Sequence, residues 1–274
     1  MGIILGIDIG GSTTKIVGKD AGKCLSMLQV RAADQITSLY GAIGNFLRSF
    51  KYAPTDVEAI YLTGVGASFV DEQIYGIKTY KTNEFDAIGR GALMLSGLSK
   101  ALVVSMGTGT AFVCAVSEEN SEHLGGTGIG GGTIIGLASQ MLGKSDVDAV
   151  IALAEKGNLK KVDLTVGDIF GKEIKSLPSH LTAANFGKIE STVSEADIAL
   201  AIINMVFETV GMMAVLALKN DNIKDVVITG TLATFPQAED IFKKFSKLTG
   251  HNFIIPKDAV FATAMGAIPP EVCP

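Results

Sequence analysis

The sequence predicts an α/β protein that carries an internal duplication. Apolar, β-branched runs repeatedly end in glycine-rich turns, and stretches with helical spacing separate them. One of these strand–turn–strand units also occurs twice. Ile7-Asp8-Ile9-Gly10-Gly11-Ser12-Thr13 lies over Val104-Ser105-Met106-Gly107-Thr108-Gly109-Thr110 without a gap, with Gly10 on Gly107 and Thr13 on Thr110.

The elements follow in order. Ile3-Ile4-Leu5-Gly6-Ile7 reads as a buried strand, residues 8–13 as a turn, and Thr14-Lys15-Ile16-Val17 as the returning strand. Leu39, Ile43, Phe46, Leu47 and Phe50 recur at helical spacing over residues 37–50. Residues 59–62 form a strand ending in Thr63-Gly64-Val65-Gly66, and residues 83–98 a helix with small residues on one side. Leu102-Val103-Val104 and residues 111–116 flank the second turn. Helices follow over 132–142 and 147–155. The longest helix starts at Ser194, where Asp197 three residues on makes a capping-box-like start, and runs to Asn220. Its apolar positions go nearly all the way round, which predicts burial on several sides and a subunit interface. Residues 226–228 form a strand ending in Thr229-Gly230-Thr231, 238–248 a helix, 253–255 a short strand and 259–268 a last helix.

Composition narrows the function. Hydrophobic residues make up 47% of the 274, enough to bury a core, which excludes a disordered chain. The formal net charge is −5 and no Lys/Arg run occurs, so nucleic acid is not an expected partner. Three scattered cysteines (Cys24, Cys114 and Cys273) argue against a disulfide framework, a zinc ribbon or an iron–sulfur cluster, and suit a reducing, cytoplasmic setting. The apolar N-terminus lacks a basic region and carries Asp8, so it is not a signal peptide. Residues 199–218 are interrupted by Asn204, Glu208 and Thr209, so no membrane span is expected.

The 32 glycines are in excess, and they cluster in the turns. Glycine lets backbone approach a ligand, and successive N–H groups in such a turn form an anion-binding nest. Two duplicated turns facing each other across a cleft can hold the phosphates of one nucleotide. Asp8 before the first turn can hold Mg2+ through water, and Lys15 supplies a nearby positive charge. A third glycine-rich segment, residues 125–133, opens a helix whose N-terminus is a ready anion site. It is neither a Walker A loop nor a dinucleotide fingerprint. Glu84 and Asp86 begin a helix after Asn83; either can be the carboxylate that accepts a proton from an alcohol, and spacing does not choose between them.

At this point the residues match a family. GIDIGGSTTKIV and VVSMGTGTAF resemble the paired phosphate loops of the actin/sugar kinase/Hsp70 superfamily. Within it, NEFDAIGRG (83–91), GGTGIGGGTIIGL (125–137), DLTVGDIFG (163–171), LTAANFGK (181–188) and ITGTLA (228–233) are similar to the type II pantothenate kinases, in order and across nearly the whole chain. The resemblance implies duplicated actin-like ATPase (ribonuclease H-like) domains, residues 1–98 and 99–274, with a nucleotide cleft between them. It implies ATP- and Mg2+-dependent phosphorylation of the primary hydroxyl of pantothenate, the first step of coenzyme A synthesis. Glu84 would be the general base, and Asp8 would serve Mg2+. Gly10, Gly11, Ser12 and Thr13 would bind phosphate beside Lys15. Ser105, Gly107, Thr108 and Thr110 would line the second loop and the substrate pocket. Gly130, Gly131, Gly132 and Thr133 would hold the nucleotide, and Gly230 would approach the adenosine. A homodimer around the helix of residues 194–220 is the family habit.

One position departs. The family places an Arg, which contacts the pantothenate carboxylate, directly before the glycines of the third segment; here the residue is His123. Imidazole does not reproduce a bidentate guanidinium. Arg90 is the alternative cation, its simpler reading being a helix-surface residue. Three other readings remain beside the pantothenate kinase. One is a kinase for another small alcohol or sugar. Another is a catalytically silent nucleotide-binding regulator. The third, an activase of the 2-hydroxyacyl-CoA dehydratase type, shares the loops, but it needs a bridging cluster with suitably placed cysteines, and the scattered ones here argue against it.

Overall fold

A computed structural model describes residues 2–20, 23–32, 34–71, 73–117, 120–171, 178–219 and 221–272. Cys273 and Asn220 lie outside the described residues. The first half comprises β1 (Ile3–Ile9), β2 (Thr13–Asp20), β3 (Lys23–Arg31), α1 (Gln35–Phe50), β4 (Val57–Thr63), β5 (Lys78–Lys81) and α2 (Glu84–Ser96). The second half continues with β6 (Ala101–Met106), β7 (Thr110–Ser117), β8 (Asn120–Thr127), α3 (Gly131–Leu142) and α4 (Val147–Ala154). Then come β9 (Leu164–Thr165), α5 (Val166–Phe170), β10 (Thr182–Ala184) and α6 (Glu195–Ala217). The chain ends with β11 (Asp225–Thr229), α7 (Pro236–Thr249), β12 (Asn252–Ile254) and α8 (Ala262–Gly266).

The duplication is complete at the level of topology. One sheet has the order β3-β2-β1-β4-β5 and the other the order β8-β7-β6-β11-β12, read from the matching edge. In each, an antiparallel hairpin is extended on one side by a third antiparallel strand and on the other by two parallel strands. The sequence reading missed β3, β5 and β8. They are outer strands whose residues are largely solvated, so no apolar alternation marks them. The expected last helix is split into a 3-10 turn (Ala259–Phe261) and the short α8.

Each sheet buries one face against helices of its own half. Leu5, Ile7, Ile9 and Ile60 pack on Leu39, Ile43 and Phe46 of α1. Leu102, Val104, Val226 and Ile228 pack on Ile134 of α3, Ile202 and Phe207 of α6 and Phe242 of α7. The opposite faces are covered by exchange. Ile88, Ala92 and Leu93 of α2 pack on Val103, Val113 and Val227 of the second sheet. Ala264, Met265, Ala267 and Ile268 at the chain's end pack on Val17, Ile4, Ala59 and Tyr61 of the first. A cut at residues 98/99 separates the two sheets but not the two packing units, because α2 and α8 each serve the other half's sheet. The two helices cross closely enough that a Cβ on Gly91 would stand 2.5 Å from the Ala262 carbonyl carbon.

The capping box at Ser194 and Asp197 is present, with Ser194 N–H donating to Asp197 Oδ2 at 2.9 Å. Helix α6 is long and apolar enough to cross a membrane, yet 56% of its most apolar stretch is buried inside the protein, as in a core helix. Its C-terminal part still presents Met212 and Leu216 to solvent.

Candidate active site

The two glycine turns meet. Ser12 Oγ at the tip of the β1–β2 turn lies 2.9 Å from Thr108 Oγ1 at the tip of the β6–β7 turn. Each turn is closed by its own backbone: Gly10 N–H donates to Thr13 O at 3.0 Å, and Gly107 N–H to Gly109 O at 2.8 Å. The tips of two turns 96 residues apart in sequence thus come together.

The floor of the cleft carries charge. Asp8 at the end of β1 and Lys15 on β2 are cross-strand partners, and Lys15 Nζ donates to Asp8 Oδ2 at 3.1 Å. Both are buried. Glu84 is the first residue of α2, held there by Asn83, whose side chain accepts from the N–H groups of Phe85 (2.9 Å) and Asp86 (3.3 Å). Burial pushes the Glu84 carboxyl above the usual carboxylate range; the charge of Asp8 adds to this and that of Lys15 opposes it. Those influences tie Glu84 to the Asp8–Lys15 pair, where spacing left Glu84 and Asp86 equal. A carboxylate desolvated beside a second carboxylate is poised to take a proton.

The third glycine segment is joined to the second turn. Gly131 N–H donates to Gly107 O at 2.8 Å and Gly132 N–H to Thr108 O at 2.9 Å. Two first-turn donors of α3 are thereby consumed, so this helix N-terminus is not the open anion site expected from the sequence. The Thr133 hydroxyl is likewise engaged, donating to Gly128 O at 3.0 Å and accepting from Gly130 N–H at 3.2 Å. Thr110 Oγ1 donates to Ile129 O at 2.8 Å. These groups shape the cleft wall rather than offering free donors. Gly230, with φ +87°, follows β11; a Cβ there would stand 2.6 Å from Met106 O. Ser105 is half-buried beside it, in register with Thr229.

The two candidate cations separate. Arg90 is not on the helix surface: it is buried, and its Nη1 donates to Gly266 O at 2.6 Å across the α2–α8 crossing. His123 is exposed on β8, and its ring stacks on Phe85 with centroids 3.8 Å apart and planes 10° from parallel. Phe85 follows Glu84 in sequence, so the stack ties His123 to the first turn of α2.

The segments 163–171 and 181–188 form a separate unit against α6. Buried Asp163 accepts from Phe186 N–H at 2.9 Å and from Asn204 Nδ2 at 3.2 Å. Asn185 Nδ2 and Thr182 Oγ1 reach the Glu208 carboxylate at 3.1 and 2.9 Å. Burial raises the Asp163 carboxyl, and these donors pull it back. The cluster opens on a cavity of about 740 Å³ walled by Met212, Leu216, Phe245 and Leu248. The sequence offered no role for Asn204 or Glu208 beyond interrupting an apolar run. Thr63-Gly64 and Thr229-Gly230 read alike in it as strand ends, with no role for Thr63.

Comparison with known proteins agrees with this geometry. Residues 100–238 match the Fumble family. The chain is 28% identical to a type II pantothenate kinase of Bacillus cereus (strain G9842), covering 96% of this chain and 97% of that one. It is 26% identical to the type II pantothenate kinase of Oceanobacillus iheyensis, covering 96% and 98%. Among solved structures, the Acidaminococcus fermentans (R)-2-hydroxyglutaryl-CoA dehydratase component A superposes with TM-score 0.68 at 18% identity, over 97% of this chain and 96% of that one. A ROK family glucokinase from Streptomyces griseus, in complex with glucose and AMPPNP, gives 0.59 at 15%, over 97% and 98%. These structures share the fold, a duplicated actin-like ATPase architecture. With the family match spanning just over half of its length, the chain belongs to the Fumble family.

Proposed function

We propose that this protein is an ATP-dependent kinase that phosphorylates the primary hydroxyl of pantothenate to 4'-phosphopantothenate, the first step of coenzyme A synthesis. The observation that carries the reading is the desolvated Glu84, coupled to Asp8 and Lys15 beneath two touching phosphate turns. The names of the relatives support the acceptor.

In this reading the two turns hold the β- and γ-phosphates of ATP, with Gly10 to Thr13 on one side and Gly107 and Thr108 on the other. Glu84 accepts the hydroxyl proton as the alcohol oxygen bonds to the γ-phosphorus; the bond to the bridging oxygen breaks, and ADP leaves with its electron pair. Gly230 and the adjoining 3-10 turn (Thr231–Thr234) border the adenosine side. Asp8 fits Mg2+: it offers a hard oxygen, Oδ1, that Lys15 does not engage, and Mg2+ keeps most of its own waters. When bound, Mg2+ would neutralise charge on the phosphates.

Met212 and Leu216 on α6, with Leu248 on α7, form an exposed apolar stripe that supports a homodimer through α6. The halves on either side of residues 98/99 are read as the two domains that close on the nucleotide, in a cytoplasmic enzyme. A coupled ADP assay with pantothenate, against a blank and a panel of small sugars, tests the acceptor. ADP release that ignores pantothenate at millimolar concentration would end the assignment. His123 favours one second reading, a kinase for another small alcohol, and the same panel decides it. Against an activase, Cys24 and Cys114 stand on β3 and β7, in different sheets.

A further inference from the structure

The duplication repeats one feature that the mechanism above does not use. Thr63 ends β4 and Thr229 ends β11, the equivalent strands of the two sheets. Both are fully buried, and neither hydroxyl has a hydrogen-bond partner. Each is followed by a glycine in the left-handed region, Gly64 at φ +86° and Gly230 at φ +87°. Their register partners on the parallel neighbours are equivalent too: Thr63 pairs with Asp8 and Thr229 with Ser105.

A buried hydroxyl without a partner is destabilising, so a fold that places one twice at the same point calls for a ligand-bound state in which it is used. In-register residues on neighbouring strands point to the same face of the sheet, which puts the Thr63 hydroxyl next to the Asp8 side chain. The Asp8 carboxylate gives Oδ2 to Lys15, while Oδ1 lies against the Thr63–Gly64 junction: a Cβ on Gly64 would be 2.5 Å from it. Only glycine lets the carboxylate settle there.

We propose that Thr63 is a positioning residue of the nucleotide site, its hydroxyl donating to Asp8 Oδ1 when Mg2+-nucleotide is bound and fixing the direction in which that carboxylate faces. The inference rests on the assignment of Asp8 to Mg2+, but not on the identity of the acceptor. Thr229 is its counterpart at uncharged Ser105.

Calorimetric titration with a non-hydrolysable ATP analogue, with and without Mg2+, tests this on Thr63→Val, Thr63→Ser and Thr229→Val. The expected result is that Thr63→Val loses about ten-fold of the affinity gained on adding Mg2+ and binds metal-free nucleotide as the wild type does. Its melting temperature without ligand stays equal or rises, since the lost hydroxyl had no partner. Thr63→Ser restores the Mg2+ gain, and Thr229→Val keeps it. The proposal fails if Thr63→Val retains the full gain, or loses affinity equally with and without Mg2+. It also fails if Thr63→Val does not fold, or if Thr229→Val behaves the same way. Because no acceptor enters the titration, a negative pantothenate assay with an intact Mg2+ effect at Thr63 overturns the acceptor alone.

Discussion

Replacing Gly91 by Ala tests whether the α2–α8 crossing sets the position of Glu84. A Cβ at Gly91 would stand 2.5 Å from the Ala262 carbonyl carbon and nearer still to its oxygen. Carbon atoms pack at about 3.5–4.0 Å, so the helices must part by roughly 1 Å or more. The obstacle is backbone, and no rotamer change relieves it. Overpacking of this kind costs about 1–3 kcal/mol, of which the better helix propensity of Ala returns about 1 kcal/mol. The net loss, about 0–2 kcal/mol, lowers the melting temperature by a few degrees at most in a chain of this size. Function should suffer more than stability. Glu84 lies two helical turns along the same rigid helix, and a misplacement of about 1 Å at a reacting group costs on the order of 100-fold in rate. The assay is thermal melting together with pantothenate-dependent ADP release. A Gly91→Ala protein that keeps wild-type melting and kcat within two-fold would refute the argument that this crossing positions the base.

The remaining predictions are briefer. Glu84→Gln should lower kcat by roughly 100- to 10,000-fold, the range for a lost general base, while the ATP analogue still binds in calorimetry. The same variant should melt higher at neutral pH. The raised carboxyl pKa of folded Glu84 makes its stabilising contribution complete below the unfolded pKa and lost as pH rises through the folded value, so the advantage of Gln vanishes in acid. For the same reason, the acid limb of kcat/KM should lie above the usual glutamate range in a pH–rate profile. His123→Arg should lower the KM for pantothenate on the order of ten-fold with kcat unchanged, as a guanidinium forks onto a carboxylate; an unchanged KM would remove His123 from the acceptor site. Gly44→Ala, on the exposed face of α1 where a Cβ meets nothing within 4 Å, should stabilise by about 0.5–1 kcal/mol in chemical denaturation and leave activity alone.

Much of the fold was legible because its signals are local. The strands β1, β4, β6 and β11 are apolar runs ended by glycine turns, and α1 and α6 carry their own spacing and caps. The outer strands were not legible, because a solvated strand has no apolar period. Arg90 shows the limit most plainly. On a helix beside Glu84 it reads as a surface residue or a substrate cation, yet it is buried and donates to a carbonyl 176 residues away. Thr110 and Thr133 read as ligand donors and are hydrogen-bonded within the cleft wall.

From the sequence alone, the chain's glycine turns, their duplication and the motifs around Glu84 and Asp8 determined the duplicated α/β architecture and a short set of candidate side chains. Composition and spacing suffice for that, since strands, turns and caps are set by neighbours a few residues apart. Which groups are free to act was decided only by the tertiary structure. It brought Ser12 against Thr108, buried Glu84 near Asp8 and Lys15, buried Arg90 at a helix crossing and left the Thr63 hydroxyl buried without a partner. Desolvation and hydrogen-bond satisfaction depend on residues far apart in the chain meeting at a few ångströms, and no local pattern encodes that distance.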